Sequence, residues 1–282
     1  MSGPDLANLS AVAAARPRRW RSRKRLIAIG AVLVVVAIAI FGATEGRALW
    51  QKYQERPTAA SHPLDQGQLN NLQPVANPAD NSNGRSAAAA PSPSPTKAPA
   101  TAVLQVPYTV QAPGNNWKEF ENACEEDVVL MYHDYLEGNH ATDIPVPEAT
   151  DALRAMEKWQ VVNWGAEKDL TLDRTGQFAQ AYYGYHYQVF PATVQSIKDQ
   201  LAAGRPVIIP AMTHSLQNHN YGAQTVYHEV LVKGYNDQGV VTNDGGIWQG
   251  KNWFYSWDIV FQAIDAQTPK MNQGRVALVL TK

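Results

Sequence analysis

The stretch Asn122-Ala-Cys-Glu-Glu-Asp-Val-Val-Leu-Met-Tyr-His-Asp-Tyr-Leu136 contains Cys124, the only cysteine among the 282 residues of the chain. Apolar residues recur through it at helical spacing, and Gly138 follows as a stop signal. Asn122 and Glu125, three residues apart, predict an N-cap with its capping-box partner. The pattern therefore predicts a helix with Cys124 in its first turn, where free backbone N–H groups and the helix dipole favour a thiolate.

The neighbours of Cys124 in sequence leave its role open. Glu125 and Glu126 follow it directly, and nearby carboxylates raise the pKa of a thiol. A nucleophile at this position therefore needs a base from elsewhere in the fold. The alternative is that Cys124 is a small buried apolar residue, as most free cysteines are.

The N-terminus predicts a membrane anchor. Residues 1–25 hold seven Lys and Arg against one Asp, and residues 26–43 are an apolar run of 18 residues without charge. As a helix this run spans roughly 27 Å, close to the hydrocarbon thickness of a bilayer. We expect a cytoplasmic tail at 1–25, a single transmembrane helix at 26–44 and an extracytoplasmic remainder, by the positive-inside rule. A cleaved signal peptide and secretion are the competing interpretation.

Charge and cysteine content limit the function of the outer region. Residues 104–282 hold 12 Lys and Arg against 20 Asp and Glu, a net charge of −8. An acidic domain of this kind argues against a nucleic-acid partner. A single cysteine excludes an internal disulfide, so the fold depends on its hydrophobic core.

Composition divides the chain after the predicted transmembrane helix, residues 45–282, into two parts. Residues 45–102 are rich in Pro, Ala, Ser, Asn and Gln and show no periodicity, which predicts a disordered linker. Residues 103–282 form the predicted globular domain. Predicted strands cover 103–111, 205–212, 226–235, 238–244 and 275–282, and further helices cover 147–159, 172–183, 192–203 and 256–264. Helices followed by a mostly antiparallel sheet indicate the α+β class, and the turn at 236–239 predicts a hairpin.

One histidine is placed to serve as the base. His228 begins an apolar strand, and Asp244 ends the hairpin partner strand sixteen residues later. Antiparallel pairing brings the two side by side, which is the arrangement that a base and its orienting carboxylate require. Asp237, in the hairpin turn, is the alternative carboxylate. Gln111 offers a side-chain amide that, with the backbone N–H of Cys124, could form an oxyanion hole.

The same residues lie in motifs that together resemble a known family. The motifs are VPYTVQAP at 106–113, Trp117, NACEEDVVLM at 122–131, GRPVIIPA at 204–211, HEVLVKGY at 228–235 and TNDGG at 242–246. Residues 103–282 resemble the papain-like cysteine peptidases related to the bacteriocin leader-processing (double-glycine) peptidases, in their stand-alone, membrane-anchored branch. The resemblance implies a papain-like α+β fold and a thiol peptidase. It implies Cys124 as nucleophile, His228 as base, Asp244 as the residue that orients the imidazole, and Gln111 as oxyanion donor.

Two residues depart from the pattern of that family. Relatives often carry a small residue where Asp127 stands and a proline where Gly245 stands. Asp127 lies one helical turn beyond Cys124, and we expect it to face away from the thiol or to lower its reactivity modestly. Neither departure removes a catalytic group.

These observations predict a membrane-anchored extracytoplasmic cysteine peptidase that acts on a peptide or protein substrate. Leader processing coupled to export is disfavoured, because the chain has one predicted span and no ATPase motif. Two alternatives stay open: other acyl chemistry at the same site (peptidoglycan amidase, endopeptidase or transpeptidase) and a non-catalytic binding domain. A binding domain could use four aromatic residues near Asp244 as a ligand platform: Trp248, Trp253, Phe254 and Trp257. The alternative is that these residues pack in the core beneath the site. We expect neither a cofactor nor a metal.

Overall fold

The computed structural model describes residues 60–81, 98–165 and 169–282. All of them belong to the second of the two units of the chain, Glu55–Lys282. The predicted cytoplasmic tail and transmembrane helix lie outside the described residues, as do linker residues 45–59 and 82–97. Within the described ranges, no helix combines the length and the apolar character that a membrane span requires.

The described residues combine helices with an antiparallel sheet. The helices are α1 (Gln66–Asn70), α2 (Cys124–Leu136), α3 (Val146–Trp164), α4 (Leu172–Tyr183), α5 (Val194–Ala202) and α6 (Trp257–Met271). The strands are β1 (Ser61–Pro63), β2 (Ala102–Val103), β3 (His186–Pro191), β4 (Val207–Met212), β5 (Tyr227–Tyr235), β6 (Gly239–Asn243), β7 (Lys251–Ser256) and β8 (Val276–Thr281). The strand order is β1-β7-β6-β5-β4-β8-β3, with β2 on β5, and every pair is antiparallel. The predicted mixture of helices and antiparallel sheet is confirmed.

Several predicted elements agree closely with the structure. Helix α4 has the predicted ends, because Thr171 caps its N-terminus and Gly184 takes the left-handed conformation after it. The β5–β6 hairpin is present, with Tyr235 paired to Val240 across the predicted turn. Strand β5 is buried along its whole length and packs against α2, the helix that begins with Cys124. The hairpin and α2 together bring the candidate residues to one place.

Other predictions need correction. Of the first predicted strand, 103–111, only Val103 lies in a strand, the two-residue β2 (Ala102–Val103), and residues 104–111 form no strand. Strands β3 and β7 were not predicted. Helix α6 continues seven residues beyond the predicted end at 264, through Pro269 to Met271.

The prediction that 45–102 is disordered is wrong for residues 60–81. This segment, here called the N-terminal strap, forms β1 and α1 and ends in a 3-10 turn at Pro78–Asn81. Strand β1 pairs with β7, and Leu72 is buried in the domain. A few edge contacts are sufficient to hold a polar segment that has no hydrophobic periodicity of its own, which is why composition alone misleads here.

The predicted capping of α2 is also wrong. The N-cap residue is Ala123, and no side chain caps the helix. The Glu125 carboxylate does not turn back to Asn122; it accepts hydrogen bonds from the Cys124 thiol and from the backbone N–H of Leu170. The cysteine nevertheless occupies the first position of the helix.

Candidate active site

A cavity of about 550 Å³ opens above the start of α2. Cys124 and His228 both line it, the first from α2 and the second from β5, and Gln111 contributes from the segment before the helix. All three side chains are buried, with 3–5% of their surface exposed. The structure therefore brings together three of the four residues predicted from the sequence, and the fourth lies directly behind them.

That fourth residue is Asp244, which contacts His228. The distance from His228 Nε2 to Asp244 Oδ1 is 2.9 Å, and both groups are buried. The hairpin creates this contact, since Leu231 of β5 pairs with Asn243 of β6 and Asp244 follows immediately. Asp237 stays in the exposed turn, where its carboxylate accepts a hydrogen bond from Gln238. The side-by-side placement expected of His228 and Asp244 is therefore present.

Two tyrosines that the sequence analysis did not identify hold the Asp244 carboxylate. Tyr221 donates to Oδ1 at 2.5 Å, and Tyr255 donates to Oδ2 at 2.6 Å. Burial alone raises the pKa of Asp244, but hydrogen bonds from His228 and the two tyrosines outweigh burial and hold the pKa below its ordinary value. Asp244 is therefore a fixed anion behind the imidazole.

The thiol of Cys124 bonds to a carboxylate of its own helix. Its Sγ donates to Glu125 Oε2 at 3.0 Å. Burial raises the pKa of Cys124 well above its ordinary value, and the charges of Glu125 and Glu229 raise it further. The sequence-based concern that neighbouring carboxylates oppose a thiolate thus holds for Glu125. At neutral pH the proton is on the sulfur.

Glu229 is a third residue near the site that the sequence did not reveal. It follows His228 on β5, is fully buried, and accepts hydrogen bonds from Thr175 and Tyr227. The pKa of both Glu125 and Glu229 is raised to about 8, mainly by burial and, for Glu125, also by the charge of Glu229. The only sequence signal was a carboxylate within a mostly apolar strand, YHEVLVKGY.

Gln111 lines the cavity, but its amide is already engaged. Its Nε2 donates to the backbone carbonyls of Phe120 and Glu121, at 3.2 Å each. Its backbone N–H donates to the carbonyl of Gly245, next to Asp244. The side chain is thus anchored beside the start of α2, and an oxyanion could be bound only by displacing one of the two carbonyl contacts.

Asp127 and Gly245, the two residues that depart from the family pattern, lie next to each other in the structure. Asp127 is fully buried, and neither of its carboxylate oxygens has a hydrogen-bond partner among the described residues. A Cβ added at Gly245 would lie 1.6 Å from Asp127 Oδ2. Asp127 therefore points to the Gly245 backbone and not into the thiol cavity, and it occupies the space that a side chain at 245 would need. Burial and the charge of Asp244 raise its pKa well above the ordinary value.

The remaining candidates lie away from this centre. His133 stacks on Tyr183, and His140 forms a surface ion pair with Asp80. Trp253, Phe254 and Trp257 are buried, as core packing predicts, whereas Trp248 is 45% exposed. Among the described residues, no group of three or more His, Cys, Asp or Glu side chains is arranged to hold a metal ion.

With this geometry established, comparison with known proteins identifies the family. The model of the Peptidase_C39 like family matches residues 103–267. The chain belongs to this family. Membership in the C39-like family supports a peptidase of the cysteine type. Among solved structures, the chain is similar to a C39-like peptidase from Bacillus anthracis, with 15% identity, coverage of 63% of this chain and 94% of that one, and a TM-score of 0.42. No curated protein matches the sequence.

Proposed function

We propose that this member of the C39-like family is a membrane-anchored, extracytoplasmic cysteine peptidase. The observation that carries the proposal is the buried His228–Asp244 pair, 2.9 Å apart, on the wall of the cavity that Cys124 lines. A thiol, an imidazole and an orienting anion in one cavity are the groups that thiol-dependent acyl transfer requires.

The tautomer of His228 determines the proposed direction of proton transfer. Its Nε2 faces Asp244, so Nε2 carries the proton that the carboxylate accepts and Nδ1 is the free base. The Cys124 thiol gives its proton to Nδ1, and the thiolate attacks the carbonyl carbon of the substrate. His228 then protonates the leaving amine, which departs and leaves an acyl-enzyme. Water, deprotonated by Nδ1, hydrolyses the thioester, and the proton returns to the sulfur.

The oxyanion of the tetrahedral intermediate needs donors beside the sulfur. The backbone N–H of Cys124 is one, since the first N–H groups of a helix have no acceptor within it. Gln111 Nε2 is the other, after it releases the carbonyl of Phe120 or Glu121. Substrate binding must therefore rearrange this loop, in addition to moving the thiol from Glu125 towards His228.

The proposed location rests on the sequence. The basic residues 1–25 and the apolar residues 26–44 favour a single span with the peptidase domain outside. A surface peptidase in that position meets secreted peptides, neighbouring proteins or wall peptides. We place the chain with the stand-alone, papain-like relatives of the bacteriocin leader-processing peptidases, because it carries their ordered Gln111, Cys124, His228 and Asp244 motifs.

The test is turnover of unstructured casein-like peptides and of wall muropeptides by the full-length chain. We expect Cys124→Ala and His228→Ala each to abolish product formation, while His214→Ala, an exposed histidine outside the cavity, retains it. Cleavage of the peptides supports a peptidase, and cleavage or crosslinking of muropeptides alone supports the wall-directed alternative. Retained turnover in His228→Ala would contradict the assignment of the base.

A non-catalytic binding domain is the second candidate. The raised pKa of Cys124 and the engaged amide of Gln111 favour it. Under this hypothesis the thiol keeps its raised pKa in the presence of peptide, and no acyl-enzyme accumulates. Trapping of an acyl-enzyme from a peptide thioester, observed by mass spectrometry on the wild type and absent in Cys124→Ala, would exclude it.

A further inference from the structure

A second cavity lies apart from the thiol site. It has a volume of about 1080 Å³, and no residue that lines it also lines the thiol cavity. The N-terminal strap forms one side of it, and residues 103–106 together with Lys233 of β5 and Lys251 of β7 form the other. The N-terminal strap forms part of the wall, so the cavity depends on the packing of the strap against the domain. The prediction of a disordered linker at 45–102 gave no reason to expect a cavity here.

Lys233 is the unusual group in this cavity. It lies in the middle of a strand that is buried throughout, and only 6% of its surface is exposed. Among the described residues its ammonium group forms no hydrogen bond and no ion pair, and the group is not fully enclosed but reaches the cavity. Lysine is almost never buried without a partner, because an isolated ammonium loses its hydration without compensation.

The other charges at this cavity already have partners. Lys251 Nζ lies 2.8 Å from both carboxylate oxygens of Asp143, and His140 Nε2 lies 2.9 Å from Asp80 Oδ1. Burial and, to a smaller extent, the charge of Lys251 lower the pKa of Lys233 to about 7, and the charge of Asp143 only partly opposes them. The carboxylates of Asp143 and Asp80 are therefore both engaged elsewhere, and neither is paired with the Lys233 ammonium.

The remaining wall exposes more apolar than polar surface, although Gln66, Asn70, Asn77, Gln105, Thr142 and Asn252 also line it. Its aliphatic side chains are Leu69, Leu72, Pro74, Val75, Leu104 and Val106. A ligand that fits this wall has an apolar body and a single anionic group. A carboxylate supplies one negative charge and accepts hydrogen bonds from an ammonium, whereas a phosphate brings more charge than one lysine neutralises.

We propose that this cavity is a binding site for a small organic carboxylate with an apolar body, whose carboxylate pairs with the Lys233 ammonium. Simple aliphatic acids and the C-terminal carboxylate of a short apolar peptide both carry this chemistry. The site is independent of the thiol, so it stands whether or not the chain is a peptidase.

The pairing predicts a pH dependence of known sign. The carboxylate binds the protonated lysine, and the pKa of free Lys233 is about 7. Aliphatic acids and peptide C-terminal carboxylates stay ionised above pH 6, so the lysine, and not the ligand, titrates in that range. Between pH 6 and pH 8.5 the protonated fraction falls, and affinity should decrease about 30-fold.

The test is calorimetric titration of the full-length chain with 4-methylpentanoate and with N-acetyl-Leu-Leu, each compared with its neutral amide. We expect at least one acid to bind at pH 6 and its amide to bind at least tenfold more weakly. Binding of the peptide acid alone identifies a peptide terminus as the ligand, and binding of 4-methylpentanoate alone identifies a simple acid. Absence of binding by both acids, or equal binding by acids and amides, overturns the proposal.

A matched pair of variants locates the site. Lys233→Met keeps the volume and apolar stem of the side chain and removes the charge, so the acid should lose at least tenfold in affinity. Lys158→Met, at an exposed lysine on α3, should bind as the wild type does. Unchanged binding in Lys233→Met overturns the proposal. If that variant fails to fold, the wild-type pH dependence decides, because an affinity independent of pH excludes Lys233 as the partner.

Discussion

The thiol of Cys124 donates a hydrogen bond to the carboxylate of Glu125, with 3.0 Å between Sγ and Oε2. The imidazole of His228, on the same cavity wall, is meanwhile held by Asp244. The nucleophile and its proposed base are therefore each bonded to a carboxylate of their own. The proposed reaction therefore requires the thiol to exchange its hydrogen bond to Glu125 for one to His228.

Replacing Glu125 by Gln should make the thiol more acidic. The substitution removes a negative charge beside the sulfur and retains an acceptor for the backbone N–H of Leu170. Removing a like charge at this distance lowers a pKa by about one unit or more. The measurement is the pH dependence of iodoacetamide alkylation, whose midpoint should shift down in Glu125→Gln.

Glu126→Gln is the control for that experiment. Glu126 is also a buried carboxylate of α2, but it bonds to Gln160 and not to the thiol. Its alkylation midpoint should stay near that of the wild type. A midpoint in Glu125→Gln equal to the wild-type value would show that the Glu125 charge does not act on Cys124.

The domain should lose stability as the pH rises from about 5 to about 8. Burial raises the pKa of Glu125 and Glu229 to about 8, so across this window the folded state holds protons that the unfolded state has released. The free energy of unfolding is therefore greatest near pH 5. Each of the two carboxyl groups lowers it by up to about 1.4 kcal/mol for each pH unit above that. Asp244 affects stability in the opposite direction. Because its pKa is lowered in the folded state, its contribution is lost as the pH falls, and this occurs below the window from pH 5 to 8.

Urea unfolding at pH 5, 6.5 and 8 measures this slope. Glu229→Gln should flatten it, because the amide keeps an acceptor for Thr175 and Tyr227 and no longer titrates. Glu148→Gln, at an exposed glutamate, should leave the slope unchanged. A wild-type stability that rises between pH 5 and 8 would contradict the prediction.

Removing the Tyr255 hydroxyl, which donates a hydrogen bond to the Asp244 carboxylate, should destabilise the fold. Tyr255→Phe leaves Oδ2 of a buried anion without its 2.6 Å donor, and we expect a loss of about 1–3 kcal/mol in the free energy of unfolding. Tyr132→Phe is the matched control, since that buried hydroxyl donates to a neutral carbonyl, that of Leu280. Equal losses in the two variants would indicate that Asp244 is not charged.

A double-mutant cycle tests the contact between Asp127 and Gly245. Gly245→Ala places a Cβ against the Asp127 carboxylate and should destabilise the fold by about 1–3 kcal/mol. Adding Asp127→Ala opens that space and removes a buried carboxyl group without partners, so the double variant should recover most of the loss. Additive losses, measured by urea unfolding, would rule out the contact.

The sequence predicted the parts of the site that local rules determine. The turn at 236–239 fixes the register of the β5–β6 hairpin, and the register places His228 beside Asp244. Likewise, α4 was predicted to its last residue because Thr171 and Gly184 mark both of its ends. In each case the signal lies within a few residues of the feature it specifies.

The rest of the site depends on contacts between distant elements. Tyr221 and Tyr255 reach Asp244 from a 3-10 turn and from β7, and no spacing in the sequence relates them. The N-terminal strap pairs at a sheet edge, where polar residues and proline are tolerated, so it resembles a linker in composition. Such contacts become visible only once the sheet order is known.

The close contact between Asp127 and Gly245 bears on the order in which the two residues were acquired during evolution. A side chain at 245 would force the Asp127 carboxylate to shift, because the added Cβ would overlap Oδ2. The order in which glycine is acquired before aspartate avoids this overlap, and the opposite order passes through it. The same overlap arises for anyone who transfers α2 or the loop after β6 between relatives: the two segments have to be exchanged together.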